Sequence, residues 1–332
     1  MKKCFLLVLK LSLTKRSYLI FCGAIIFSIY YLILNSNILI SINLNFKEIK
    51  PNNVEINNYD QIMIEKNFHS TLVSAYFDID RNGRPREEYF EWIKQTIRLN
   101  APFIFFVQLK YLNLTMKLFE NKTTPYLVKT IELNELPCYK DLDKVSRIIG
   151  STSYRLKIEK NDRIETKNPL YSIVIFSKFY LLKRAALFNP FKTKKFIWVD
   201  AGISRFYAGF DLSLPITGLK IPDDKFFTIF ETRAFFDSYF HNRDEKNFMW
   251  SAKSYILAGV MGGTLPVISR VNDLIEKKWH KMISNGLVNN EQIALILCYF
   301  DQPKLFRLFS RSTLIVLFNS RDMKEIFSYL AL

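Results

Sequence analysis

The sequence predicts an α/β protein in which a mainly parallel sheet is flanked by helices, with an N-terminal transmembrane helix before it. Apolar runs of strand length alternate with amphipathic helical segments along most of the chain. The early runs are apolar throughout, which is typical of parallel strands covered on both faces. A long uncharged stretch near the N-terminus has the length that a membrane-spanning helix needs.

That stretch contains no charged residue from Ser17 to Phe46, and the residues before it are basic without any acidic residue. Basic flanks keep the N-terminus in the cytoplasm, and no small-residue cleavage site follows. A cleaved signal peptide is the alternative. We therefore predict a cytoplasmic tail (residues 1–16), a signal-anchor helix (17–40), a stem (41–68) and one domain (69–332).

This type II topology places the domain in the Golgi or endoplasmic reticulum lumen of a eukaryote, or anchors it in the inner membrane of a bacterium. The sequons at Asn113 and Asn121 are compatible with a glycosylated lumenal surface. Only Cys138 and Cys298 lie beyond the anchor region. They either form one disulfide or remain two unpaired core thiols.

The elements follow from composition and periodicity. Apolar, β-branched and aromatic runs predict strands at residues 70–79, 101–108, 124–133, 194–202 and 224–231, then at the start of the run 254–284 and in the closing runs LFRLFS and TLIVLF. Helical spacing and cap-type residues predict helices at residues 86–100 and 170–188, in the later part of the run 254–284, and at residues 289–300. A glycine-rich turn is expected before the third of these helices.

Asp200 is the first candidate for chemistry. It ends the apolar run FIWVD and is followed by Ala201 and Gly202. In an open α/β sheet, ligands bind at the carboxyl ends of the strands, so this carboxylate would be exposed to a ligand. Together with a substrate diphosphate it is the kind of ligand that Mg²⁺ or Mn²⁺ prefers. The alternative is an Asp that only caps a turn.

Each of the other candidate residues also has both a functional and a purely structural interpretation. Gly262 and Gly263 let a sugar or phosphate approach the backbone, or only form a turn. Glu291 is a candidate base, or only a favourable charge at a helix N-terminus. Arg84, beside the first predicted strand, is positioned to meet a phosphate, or lies in a solvated loop.

The net charge of +16 favours anionic partners, such as nucleotides, phospholipid headgroups or acidic glycans. No nucleic-acid recognition motif accompanies this charge, so a nucleic-acid partner is not expected. Walker, Rossmann, serine-hydrolase, zincin and CxxC patterns are all missing from the sequence.

Several motifs together resemble the HtrL/YibB glycosyltransferase-like family over about residues 70–300. They are STLVSAYFDIDR, NPLYSIVIFSKFYLL, PFKTKKFIWVDAGISRF and AGVMGG. The resemblance implies a GT-A-like transferase that uses a nucleotide-sugar donor, UDP-linked, and a glycan, lipid or protein acceptor. A non-catalytic lumenal glycan-binding or accessory protein on the same fold is the alternative.

The resemblance also implies roles for individual residues. Asp200 takes the place of a metal-binding carboxylate in a D-x-D motif, whose second position is here Gly202, so Mn²⁺ or Mg²⁺ is expected with that reservation. Glu291 contacts the acceptor or acts as base. The other implied nucleotide-sugar contacts are Ala75, Tyr76 and Asp78 for base and ribose, Lys178 and Arg205 for the diphosphate, and Gly262 and Gly263 for the sugar.

Overall fold

A seven-stranded sheet runs through the described part of the chain. The structure is a computed structural model that describes residues 68–80, 84–206, 225–231, 248–253 and 255–309. In chain order the strands are β1 (Ser70–Tyr76), β2 (Phe103–Val107), β3 (Tyr126–Thr130), β4 (Lys195–Val199), β5 (Phe227–Phe230), β6 (Val260–Gly263) and β7 (Phe306–Phe309).

The strands lie in the order β3-β2-β1-β4-β6-β5-β7. β1 pairs in parallel with β2 and β4, β2 pairs in parallel with β3, and β5 with β7. β6 runs antiparallel to both of its neighbours, β4 and β5. The mainly parallel sheet predicted from the sequence is confirmed, with one antiparallel strand that the apolar pattern did not reveal.

Helices cover both faces of this sheet. In chain order the described α-helices are α1 (Arg86–Thr96), α2 (Leu112–Phe119), α3 (Leu142–Gly150), α4 (Thr152–Lys157), α5 (Pro169–Phe176), α6 (Lys178–Phe188), α7 (Leu265–Ser284) and α8 (Glu291–Asp301). Side chains from α1 and α2 join the core cluster on one face, and those from α3 to α8 join the cluster on the other.

The central strands show why their sequences are apolar without interruption. Leu72 of β1 is fully buried on the α1–α2 side, while its neighbour Val73 is fully buried on the opposite side. Successive side chains of a strand point to opposite faces, so a strand covered twice needs apolar residues at every position. Burial of both faces fixes the register and holds the strand ends in place.

One predicted helix is two helices in the structure. The run over residues 170–188 is interrupted at Ser177, which separates α5 from α6. The Ser177 hydroxyl donates to the Ile173 carbonyl oxygen at 2.7 Å, a local bond that bends helices. The prediction of a single long helix was wrong, and the break sets Lys178 at the first position of α6.

The predicted glycine-rich turn was also wrong, because Gly262 and Gly263 lie within β6. The turn comes earlier, at Ala258 and Gly259. A Cβ on Gly262 would overlap the carbonyl oxygen of Phe196 in β4. Glycine is therefore needed here for close pairing of two strands.

Several predictions fall outside the described residues. These are the cytoplasmic tail, the anchor helix, almost all of the stem and the closing strand in TLIVLF. Among the described residues, no helix is both long enough and apolar enough to cross a membrane. Cys138 and Cys298 are both free thiols. Asn113 and Asn121 are exposed, whereas Thr115 of the first sequon is fully buried.

Candidate active site

A cleft of about 480 Å³ opens at the carboxyl ends of β1 and β4. In the sheet, β1 lies between β2 and β4. After β1 the chain first adds β2 and β3 on one side, and it adds β4 on the other side only afterwards. Such a topological switch point is where open α/β sheets bind ligands. Most of the predicted site residues line this cleft, namely Ala75, Tyr76, Asp78, Arg84, Lys178, Asp200, Gly202 and Arg205.

Lys178 and two carboxylates form a buried cluster at one end of the cleft. The Lys178 Nζ lies 2.9 Å from Asp200 Oδ1 and 2.7 Å from Glu291 Oε1. The Lys178 and Glu291 side chains are almost completely buried, whereas that of Asp200 is 36% exposed. Asp200 is therefore the carboxylate of this cluster that faces the cleft.

Three elements bring this cluster together. Asp200 follows the end of β4, and its backbone N–H donates to the Gly259 carbonyl oxygen at 2.9 Å. Lys178 begins α6, directly after the break at Ser177. Glu291 begins α8, whose first turn is capped by Asn290, which accepts from the N–H of Ile293.

Trp198 completes the surroundings of Asp200. Its indole Nε1 donates to Asp200 Oδ1 at 2.7 Å. That oxygen therefore accepts a hydrogen bond from Trp198 and is ion-paired with Lys178. Sequence reasoning missed Trp198, although two-residue alternation along β4 places it on the same side as Asp200 and is a usable signal.

The protonation of the cluster follows from its burial and its charges. Burial alone would lower the pKa of Lys178, but the carboxylates of Asp200 and Glu291 outweigh it and raise that pKa above its ordinary value. Burial raises the pKa of Glu291, and the Lys178 ammonium opposes that rise. Lys178 is therefore a fixed ammonium at neutral pH.

The described residues around Asp200 do not fit a divalent metal ion. Asp200 Oδ1 already accepts a hydrogen bond from Trp198 and is ion-paired with Lys178, which also holds Glu291 Oε1. The second position of the implied D-x-D motif is Gly202, which offers no side-chain oxygen. In the described ranges, no group of three or more His, Cys, Asp or Glu side chains is placed to hold a metal ion.

Asp78 provides a second carboxylate, at the end of β1. It accepts hydrogen bonds from the Tyr111 hydroxyl and from Lys110 Nζ, the latter at 3.2 Å. Its backbone N–H donates to Gln108 Oε1 at 2.8 Å. Burial acts to raise the pKa of Asp78, but the bonds from Tyr111 and Lys110 outweigh it and lower that pKa below its ordinary value. The carboxylate is therefore kept ionised.

Sequence reasoning did not find Lys110 and Tyr111. They follow β2 and reach Asp78 only because β2 pairs with β1 in the observed register. A pairing between strands about 30 residues apart leaves no local signal in the sequence.

Arg84 supplies a cationic group that lacks an internal partner among the described residues. Its Nη1 is buried and has no hydrogen bond there. It lines the same cleft as Asp78 and Asp200. A buried guanidinium nitrogen without a partner is costly, and this makes Arg84 a candidate for binding an anionic group.

Helix α1 fixes the segment after Asp200. Thr96 donates to the Ala201 carbonyl oxygen at 2.9 Å, and Ser204 donates to the Trp92 carbonyl oxygen at 2.8 Å. A Cβ on Gly202 would lie 3.1 Å from the Trp92 ring, so glycine allows this close packing. The Arg205 guanidinium lies over the same ring, 5.4 Å from its centroid.

Asn168 links the two sides of the cleft. Its Oδ1 caps α5 by accepting from the N–H of Leu170 at 3.0 Å, and its Nδ2 donates to the Ile79 carbonyl oxygen at 2.9 Å. The helix that leads to Lys178 is therefore tied to the chain that follows Asp78. The motif NPLY was noted in the sequence, but nothing in it identified this second contact.

The structure does not bring every predicted residue to the cleft. Gly262 and Gly263 are buried in β6, and neither lines the cleft. Glu291 does not line it either, although it contacts Lys178, which does. The predicted sugar contacts of the two glycines and the predicted base role of Glu291 remain predictions without geometric support.

Residues 68–320 match the family model HtrL_YibB, described as bacterial protein of unknown function. The chain belongs to the HtrL_YibB family. The resemblance found in the sequence is therefore confirmed. Protein HtrL of Escherichia coli strain K12 is 22% identical over 265 residues, which cover 72% of this chain and 87% of that protein.

Solved structures show weaker similarity. Core-mannan synthase A from Aspergillus fumigatus, in its Mn/GDP form, is 10% identical with a TM-score of 0.47, covering 74% of this chain and 73% of its own. Mouse xyloside xylosyltransferase 1, in its apo form, is 12% identical with a TM-score of 0.35, covering 73% and 84%. Similarity at this level bears on neither the reaction nor the substrate of the family member described here.

Proposed function

We propose that this protein transfers a sugar from a nucleoside diphosphate sugar, UDP-linked, to a hydroxyl of a glycan, lipid or protein acceptor. The observation that carries the proposal is the buried, unpartnered Arg84 nitrogen in a cleft at the switch point of the sheet. Ligands bind at the switch point of such sheets, and the positive charge of the Arg84 guanidinium favours a phosphate group.

The nucleoside is assigned to the end of β1. Asp78 is an ionised and partly exposed carboxylate, which suits the hydroxyl groups of a ribose. Ala75 and Tyr76 line the adjoining wall, and the ring of Tyr89 beside them offers a face for a base. Among the described residues, these groups combine polar and aromatic contacts in one part of the cleft.

The diphosphate is assigned to the centre of the cleft. Arg84, Lys178 and Arg205 all line this cleft. When the bond from the sugar to the diphosphate breaks, the electron pair stays on the phosphate oxygen, and nearby cations stabilise the developing charge. The acceptor oxygen forms the new bond to the sugar, and its proton passes to the departing diphosphate or to water.

The test is a binding screen of the full-length chain against UDP-, GDP- and CMP-linked sugars, read by calorimetry. We expect one nucleotide class to bind, and Arg84→Met to weaken that binding by about 10- to 100-fold, the value of a charged hydrogen bond. Arg98→Met is the matched control, because Arg98 is exposed and bonds to Gln95 on the outside of α1. Equal affinity in both variants would contradict the assignment.

A second candidate is a non-catalytic glycan-binding or accessory protein on the same fold. It is favoured by Gly202 at the second D-x-D position and by Glu291, which is tied to Lys178 and does not line the cleft. Glycan binding without release of a nucleoside diphosphate from any donor, in the presence of acceptor, would support this candidate over the transferase.

The proposed enzyme is anchored by residues 17–40, with its domain outside the cytosol. The support is the uncharged stretch and the basic residues that precede it. Protease protection of the C-terminal domain in sealed vesicles tests this topology. Digestion of the domain from the cytoplasmic side would contradict it.

A further inference from the structure

The Lys178 ammonium lies between the carboxylates of Asp200 and Glu291. Its Nζ lies 2.9 Å from Asp200 Oδ1 and 2.7 Å from Glu291 Oε1. A cation that bridges two carboxylates is the arrangement in which a divalent ion is commonly held, but here the cation belongs to the chain itself. Lys178 also lines the cleft, so its charge acts on the ligand.

One oxygen of each carboxylate is already held by this cation. Lys178 forms ion pairs with Asp200 Oδ1 and Glu291 Oε1, and Trp198 also donates a hydrogen bond to Asp200 Oδ1. A divalent ion would have to displace a buried ammonium before it could reach Glu291. A replacement of that kind leaves the charged lysine side chain without its partners in a buried place.

We propose that Lys178 is the resident cation of this site, and that the protein binds the diphosphate of its donor without a divalent metal ion. Glu291 is then a positioning residue, which holds the ammonium beside Asp200 and does not act on the acceptor. The part that concerns the diphosphate rests on the proposed function. The part that concerns the cation does not.

The first arm of the test uses no nucleotide. Mn²⁺ is titrated into the full-length protein, and free Mn²⁺ is read from its electron paramagnetic resonance signal. We expect no stoichiometric Mn²⁺ binding by the wild-type chain. Lys178→Ala, which leaves Asp200 and Glu291 facing a vacated position, is expected to gain one Mn²⁺ site, and Lys178→Ala/Glu291→Gln to lose it again.

A variant that fails to fold does not decide the outcome, because the wild-type titration stands by itself. One Mn²⁺ bound per wild-type chain would overturn the proposal. Lys183→Ala is the control, since Lys183 pairs with Asp273 on the outside of α6 and should leave the titration unchanged.

The second arm measures nucleoside diphosphate affinity in EDTA and in Mn²⁺. We expect the dissociation constant of the wild-type chain to change by less than about 2-fold, because the cation that meets the diphosphate is covalently part of the chain. A tenfold or greater tightening by Mn²⁺ would overturn the proposal. If no nucleotide binds under either condition, the proposed function fails, while the first arm still decides whether Lys178 is the resident cation.

Discussion

Lys178 is the residue on which the candidate site depends most. It is the common partner of Asp200 and Glu291, and two of these three side chains are almost completely buried. Removing one partner of a buried ion pair leaves the remaining charge without compensation. The site therefore has a structural requirement that is separate from any reaction it performs.

Lys178→Met is expected to lower the free energy of unfolding by about 3–5 kcal/mol, because both carboxylates lose their counter-charge. Lys183→Met is expected to cost about 1 kcal/mol or less, since the Lys183–Asp273 pair is more exposed. Urea unfolding of the two variants measures the difference. Equal losses would show that the buried cluster does not contribute as described.

Asp78 gives the site a pH dependence whose sign can be stated. Its pKa is lowered in the folded chain, so as the pH falls the unfolded chain takes up the proton first. The contribution of Asp78 to stability is complete above about pH 4 and is lost as the pH falls through the folded-state pKa. We expect Asp78→Asn to lose less stability than the wild-type chain between neutral and acidic pH, as measured by urea unfolding. A larger loss in the variant would contradict this.

Residues differed in how far the sequence could predict them. Asp200 followed from an apolar strand that ends in a carboxylate, and the structure places it in the cleft. Lys110 and Tyr111 depended on the pairing of β2 with β1, and the burial of Glu291 against Lys178 depended on the packing of α8. Contacts of this kind are set by tertiary structure, for which a single sequence has no periodic signal.

At the level of elements, β6 depends on one glycine. A Cβ on Gly262 would overlap the backbone of β4, whereas one on Gly263 would lie 3.2 Å from the Phe226 carbonyl oxygen. Gly262→Ala is expected to cost about 3 kcal/mol or more and Gly263→Ala about 1 kcal/mol, the range measured for overpacked sites. Thermal unfolding compares them, and equal stability of the two variants would contradict the close pairing of β4 and β6.

The cap of α5 carries a second function that two substitutions can separate. Asn168→Asp keeps the oxygen that caps the helix but places a carboxylate oxygen against the Ile79 carbonyl, whereas Asn168→Ala removes both contacts. We expect Asn168→Ala to cost about 1 kcal/mol of stability and Asn168→Asp to cost less. Both are expected to weaken nucleotide binding. Full affinity in Asn168→Asp would show that the Ile79 contact does not position the cleft.

The elements themselves were largely predictable where burial was complete. β1 and β2 are buried on both faces, so their apolar runs identified them and their parallel pairing. Ser177 was not recognised as a helix break because its effect comes from one side-chain bond to Ile173. The antiparallel direction of β6 was hidden because Gly262 and Gly263 have the composition of a turn.

At the level of the whole molecule, a basic chain encloses a cleft with mixed charges. The net charge of +16 favours the approach of anionic ligands, and Arg84 and Lys178 bring that charge to the cleft. Asp78 and Asp200 sit at the ends of β1 and β4 and are suited to hydroxyl groups and to the lysine cation. This combination suits the sugar transfer that we propose.

The most direct measurement is a crystal structure of the full-length chain with a nucleoside diphosphate, grown in EDTA. We expect the diphosphate within hydrogen-bonding distance of Arg84, with the base beside Tyr89 and with Lys178 still bridging Asp200 and Glu291. A nucleotide bound elsewhere on the sheet, or a Lys178 side chain displaced from both carboxylates, would contradict it.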